Sequence, residues 1–318
     1  MIPDTTYLRY RGSPCSDEFN GFKLNSRGYK DVAFNEKKEA DTFRILALGD
    51  SQTYGAVPYQ ECYITIVEQT IRRSYPHCEI LNMGVPSAGP VDYLSVLLNE
   101  GLDLNPDMVL LNFNIFDDFK NGGKRFKLYS YSAAASYINS IIANCLKPRG
   151  LTFGAGIYRE GFMWRSADSY LSSLIDSHGW IFQKNNIAFP HDFSSSFKYV
   201  EKIKALCDAK KITLVAVIIP ADLQLYPFLQ KKAIEHFHAK DDDFDFQIPD
   251  RMLIREFERL RIPYLDLLGY FQNRYRAEGK NLTQGNDPHW NRYGSKTAAE
   301  AVSPWLMQQI GRQLHSPQ

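Results

Sequence analysis

The sequence predicts an α/β fold, a three-layer α/β/α sandwich built on about five parallel strands, and three observations carry that prediction. Short and almost wholly apolar runs recur at residues 43–48, 108–113 and 212–219, as strands buried on both faces of a parallel sheet require. Segments with apolar residues at helical spacing lie between them. Strand-then-helix alternation along one chain calls for right-handed crossovers that cover both faces of the sheet.

In chain order, residues 1–42 are polar, and Asn25-Ser26-Arg27-Gly28-Tyr29-Lys30-Asp31 has turn chemistry rather than a helix or strand period. The first strand, Phe43–Leu48, breaks at Gly49-Asp50-Ser51, the pattern of a strand-to-helix turn. A helix is expected within Tyr59–Tyr75, ended by Pro76. Cys78–Asn82 reads as the second strand, running into a loop over Met83–Pro90. Val91–Leu102 reads as a helix and Met108–Phe113 as the third strand. Residues 120–195 are irregular and aromatic-rich, with one helix expected near Ser132–Cys145. Regular alternation then resumes: helix Phe197–Ala209, strand Ile212–Ile219, helix Leu225–Lys240, helix Pro249–Arg261, strand Ile262–Leu267 and a short helix Phe271–Gly279. A loop carrying Asp287 and His289 follows, and Ser295–Trp305 reads as an amphipathic helix.

Composition narrows the function classes. The 318 residues carry a net charge of +1, so there is no basic excess of the kind that marks a nucleic-acid binder. Five cysteines without a Cys-x-x-Cys pair indicate neither a zinc site nor a disulfide framework. His236 and His238 are two residues apart and share no helix face, which argues against a metal pair. Asp241-Asp242-Asp243-Phe244-Asp245 lacks the Gly and closing Glu of a calcium loop. No run has the length of a membrane helix, and Met1–Thr5 has no signal-like apolar core. The expected location is cytoplasmic, with anchoring or export only if an N-terminal segment is missing from this chain.

The chemistry concentrates in two blocks. Gly49-Asp50-Ser51-Gln52-Thr53-Tyr54-Gly55 presents a serine at the carboxyl end of a strand, where ligands of open α/β sheets collect. A serine hydroxyl needs a base, and the base needs an acceptor that fixes its tautomer. His289 and Asp287, in Asp287-Pro288-His289-Trp290-Asn291, are that pair. Together the blocks resemble the SGNH, or GDSL-type, hydrolase family, and the Asp-x-His spacing is similar to its polysaccharide-modifying branch. The resemblance covers about residues 25–118 and 196–310. It implies the flavodoxin-like fold of that family and nucleophile, base and acid roles for Ser51, His289 and Asp287. It also implies oxyanion donors at the backbone N–H groups of Ser51 and Gly84.

At the family's third oxyanion position, normally the Asn of Gly-x-Asn-Asp, this chain has Asp117. An ionised Asp has no proton to donate. Three alternatives stand: a protonated Asp117, a donor taken over by Asn114 or Asn112, or a site left with two backbone donors.

The expected organisation is an N-terminal arm (1–42) packed on the core, a catalytic domain (43–120 and 196–318), and an insertion (121–195) acting as a lid or as a satellite core. The expected activity is hydrolysis of a small-molecule acyl ester, such as one of a carbohydrate or secondary metabolite, without metal or organic cofactor. Acyl transfer on the same triad and a catalytically silent ligand-binding module are the alternatives. Oligomeric state is not legible.

Overall fold

The computed structural model describes residue 15 and residues 22–121 and 166–315. Its centre is a five-stranded, wholly parallel sheet: β1 (Phe43–Gly49), β2 (Cys78–Gly84), β3 (Met108–Asn114), β4 (Thr213–Ile219) and β5 (Tyr264–Asp266). The spatial order is β2-β1-β3-β4-β5. Helices cover the sheet, and β3 is buried along its whole length, which explains why the strands read as apolar runs rather than alternating ones.

The helices are α1 (Ser51–Tyr54), α2 (Tyr63–Ile71), α3 (Pro90–Val96), α4 (Asp118–Asn121), α5 (Ala167–His178), α6 (Phe189–Lys210), α7 (Asp222–Leu225), α8 (Pro227–His236), α9 (Ile248–Arg259), α10 (Leu268–Glu278) and α11 (Arg292–His315). A two-stranded antiparallel hairpin, β6 (Thr283–Gln284) with β7 (Asp287–Trp290), precedes α11.

Several boundaries differ from the sequence expectation. The segment after Ser51 divides into a 3-10 turn at Tyr59–Glu61 and α2, because Pro58 and the extended Cys62 restart the chain between them. Beyond Val96, α3 widens into a π turn (Leu97–Gly101) and tightens into a 3-10 turn (Leu102–Leu104). α6 starts eight residues earlier than its apolar period indicates, since Pro190 sits in its first turn, where a missing N–H costs nothing. The expected 225–240 helix is two helices, α7 and α8, parted at the extended Tyr226. α11 continues through Pro304.

The order 2-1-3 places β1 between β2 and β3, so crossovers leave β1 in opposite directions and a crevice opens at the carboxyl ends of β1 and β3. Ser51 follows β1 and Asn114 ends β3, so both stand at that crevice.

The segment before β1 is bonded to the sheet. Lys30 Nζ donates to Gly55 O at 2.8 Å, and Asp31 accepts from Tyr59 Oη at 2.8 Å and from the Asn82 N–H at 2.7 Å. In the aromatic-rich region, the helix expected near 132–145 lies outside the described residues. In the described part, Phe182, Phe189 and Phe193 are buried, and Phe189 and Phe193 pack with Phe119.

Candidate active site

Gly49 ends β1 and Asp50 caps α1, its carboxylate accepting the Gln52 N–H at 2.9 Å. The turn is tight: a Cβ on Gly49 would lie 2.0 Å from Thr53 Oγ1. This geometry makes Ser51 the first residue of α1, and it is buried.

From 238 residues further along the chain, β7 brings its side chains to that hydroxyl. Ser51 Oγ and His289 Nε2 are 2.7 Å apart. On its other side, His289 Nδ1 bonds Asp287 Oδ1. Because the carboxylate can only accept, Nδ1 carries the proton, and Nε2 is left to accept from the serine O–H. The Asp-x-His spacing works because residues two apart project from one face of a strand. Asp287 and His289 are such a pair on β7. The Asp287 carboxylate also accepts the His289 backbone N–H at 2.9 Å, which fixes the strand to the ring.

Burial opposes charge on His289, but the negative charge and hydrogen bond of Asp287, with the charges of Asp50 and Asp117, outweigh it and raise the imidazole above its ordinary value. Asp50 is itself raised to about 6, by burial first and then by the charge of Asp117, against the hydrogen bond from Asn114. Asn114 Nδ2 donates to Asp50 Oδ2 at 2.7 Å, and Asn114 Oδ1 accepts the Phe116 N–H at 3.0 Å. One amide hydrogen of Asn114 is therefore committed and a second remains.

Asn112 is directed elsewhere. It accepts from Tyr63 Oη at 2.5 Å and donates to Leu48 O at 3.0 Å, holding α2 and β1 to β3.

The Gly84 N–H, expected as an oxyanion donor, donates to Asn82 Oδ1 at 3.0 Å. The glycine is also closely packed, since a Cβ there would lie 2.4 Å from Tyr54 N. Asn82 completes the junction by donating to Thr53 O at 2.9 Å.

Asp117 stands among these groups, with 31% of its side chain exposed and Oδ1 3.9 Å from His178 Nε2. The His178 ring stacks on Phe116, with centroids 3.7 Å apart. Next to it in sequence, Asp118 is fully buried, accepting from Tyr93 Oη at 2.7 Å and from the Asn114 N–H at 2.8 Å. Burial, then the charge of Asp50, raise it well above the carboxylate range.

Sequence reasoning missed three groups here. Gln52 Nε2 donates to Pro288 O at 2.8 Å and its Oε1 accepts the Trp290 N–H at 3.2 Å. Asp222, at the exit of β4, accepts from Tyr170 Oη at 2.7 Å, and Thr283 Oγ1 lies 3.4 Å from the same oxygen. Burial, then the charge of Asp287, raise Asp222 to about 7 against these hydrogen bonds and His289. His178 is the third. None has a sequence signature, because each is a single polar residue whose partners are distant in the chain.

Among the described residues, no group of three or more His, Cys, Asp or Glu is arranged to hold a metal ion. No helix among them is long and apolar enough to cross a membrane. An open cleft of about 420 Å³ lined by Lys204, Lys211, Thr213 and Arg261 lies at the amino end of β4, the opposite end of the sheet from Ser51.

No protein-family model matches the chain, and no curated protein matches it. Solved structures similar to it include an acetyl xylan esterase, 14% identical over 83% of this chain and 100% of that one, with a TM-score of 0.47. A lipase/acylhydrolase from Enterococcus faecalis is 13% identical over 84% of this chain and 97% of its own, with a TM-score of 0.44. A two-domain esterase active on acetylated mannans is 12% identical over 87% of this chain, with a TM-score of 0.44, and this chain spans 51% of its length. Likenesses this distant carry no weight for the chemistry, which rests on the hydrogen-bonded line Asp287, His289, Ser51.

Proposed function

We propose that this chain is a serine esterase of the SGNH type acting on a small acyl ester. The observation that supports it most is the 2.7 Å approach of Ser51 Oγ to a His289 ring whose other nitrogen is engaged by Asp287. In the proposed reaction His289 Nε2 takes the serine proton as Oγ attacks the ester carbonyl, and Asp287 stabilises the imidazolium. The imidazolium returns the proton to the leaving alcohol. Water, deprotonated by the same ring, then releases the acid and restores Ser51.

The tetrahedral oxyanion needs donors. The proposed ones are the Ser51 N–H, at the start of α1 where no intrahelical acceptor exists, and the second amide hydrogen of Asn114. Gly84, already bonded to Asn82, is left out of this set.

The test is hydrolysis of p-nitrophenyl esters from acetyl to decanoyl, with fluorophosphonate labelling. Wild-type protein is expected to label at Ser51, and Ser51→Ala is expected to lose turnover by a factor on the order of 10⁴ or more. Folded wild type that neither labels nor turns over any ester overturns the reading. Acyl transfer uses the same steps with an alcohol in place of water, and products formed with acceptor alcohols present separate the two. Asp117 is the observation that favours a silent binding module, for which ligand binding would survive Ser51→Ala without turnover in the wild type.

A further inference from the structure

We propose that Gln52 is a positioning residue that sets the reach of His289 to Ser51 by pairing with the backbone on both sides of the histidine. The proposal rests on the esterase reading of Ser51 and His289, and adds a part that neither sequence block suggests.

Gln52 is buried and directly follows Ser51, so its Cα moves with the serine. Its amide bonds the two backbone groups that flank His289: Pro288 O at 2.8 Å and the Trp290 N–H at 3.2 Å. On a strand, the carbonyl before a residue and the N–H after it point to the same edge, so a planar amide placed there imitates a neighbouring strand. β7 is paired with β6, and Gln52 pairs with it as a strand one rung long would. The amide orientation follows from the partners, since Pro288 O requires a donor and the Trp290 N–H an acceptor.

The chemical consequence is a fixed length. Ser51 and Gln52 are one peptide apart, and His289 lies between the two backbone groups that Gln52 holds. The distance from Oγ to Nε2 is therefore set through one side chain of two methylenes and an amide. Asn shortens the link by ~1.5 Å, and Leu keeps the bulk while removing both bonds. Misplacement of a catalytic group by about 1 Å costs on the order of 10²-fold in rate.

The experiment compares wild type, Gln52→Leu, Gln52→Asn and Gln52→Glu by proton NMR of the His289 Nδ1–H shared with Asp287, alongside kcat and KM for p-nitrophenyl acetate. The wild type is expected to show a downfield Nδ1–H resonance. Gln52→Leu and Gln52→Asn are expected to broaden or lose it and to lower kcat by about 30- to 100-fold with KM within about twofold. Gln52→Glu regains a donor for Pro288 O only when its carboxyl is protonated, so its resonance, and its rate relative to wild type at the same pH, are expected to recover as pH falls. Loss of a merely structural contact would produce no such pH-dependent rescue.

Gln52→Leu with the wild-type resonance and kcat overturns the proposal, as does Gln52→Glu that behaves like Gln52→Leu at every pH while remaining folded. The NMR comparison needs no turnover. Wild type that shows the resonance yet neither labels nor hydrolyses defeats the esterase reading, and the positioning role is then decided by the resonance in the variants.

Discussion

Asn114 donates its side-chain amide to Asp50 at 2.7 Å, so the carboxyl ends of β1 and β3 are joined one residue from Ser51. The bond favours ionised Asp50, against the burial that raises its value to about 6 even with the bond in place. Asn114→Ala removes it and leaves a buried carboxylate short of a partner. The variant is expected to lose about 1–3 kcal/mol of stability at pH 8, with the deficit shrinking as pH falls toward 6, because Asp50 without this bond takes up its proton at a higher pH than in the wild type, and levelling off below 6. Denaturant unfolding at pH 5 and pH 8 checks this, and an equal deficit at both values would refute it.

The charge of Asp117 contributes to the raised value of His289. In Asp117→Asn that contribution disappears and the imidazole value falls, so the neutral base persists to lower pH. The acid limb of kcat/KM is expected to move to lower pH. An amide at this position also offers a donor, and kcat is expected to rise by on the order of 10-fold. A pH–rate profile with p-nitrophenyl acetate reads both, and an unmoved limb with a lower kcat would count against this account of Asp117.

Gly84→Ala tests packing against oxyanion binding. Its Cβ would meet backbone at Tyr54 N and Thr53 C, which have little freedom to retreat. A stability loss of about 2–3 kcal/mol is expected, visible as a lower thermal midpoint. Unchanged stability would show that β2 and α1 have more slack than their spacing indicates.

Asp222, raised to about 7, binds its proton more tightly in the folded chain than in the unfolded one, where a carboxyl titrates near 3.9. Its ionisation therefore subtracts stability progressively as pH rises from about 4 to about 7, and the deficit is constant above that. Asp222→Asn retains an oxygen for Tyr170 and has no proton to lose. Between pH 5 and pH 8 the wild type is expected to lose on the order of 2–3 kcal/mol more than the variant. Parallel stability curves for the two proteins would refute the raised value.

The parts of this molecule that were legible in its sequence are those in which one physical demand dominates. β1, β3 and β4 are enclosed on both faces, so hydrophobicity alone marks them. Ser51, Asp287 and His289 show through because a hydroxyl, an imidazole and a carboxylate are the side chains that can hydrogen-bond in series, as these three do. β6 and β7 did not: with two and four residues and a proline between Asp287 and His289, they carry no alternation to read. The Asp-x-His spacing acquires its geometric sense only once β7 is known to be extended. Polar runs hid the start of α6, where Pro190, His191, Asp192 and Ser194 precede the regular apolar positions. Gln52, Asp222 and His178 were illegible for a different reason, because their meaning lies in partners that only the fold brings near. At Gly84 the sequence did not show the close packing, because the backbone of Thr53 and Tyr54 that leaves no room for a Cβ comes near only in the fold.

The 238 residues between Ser51 and His289 also bear on biosynthesis. A chain still being made completes β1 and the turn bearing Ser51 early, then passes through β3, β4 and β5 before the hairpin that carries the base exists. On the esterase reading proposed above, Ser51 has its base only once β7 has docked beside α1, so a chain in which β1 has formed and the hairpin has not is expected to be without turnover.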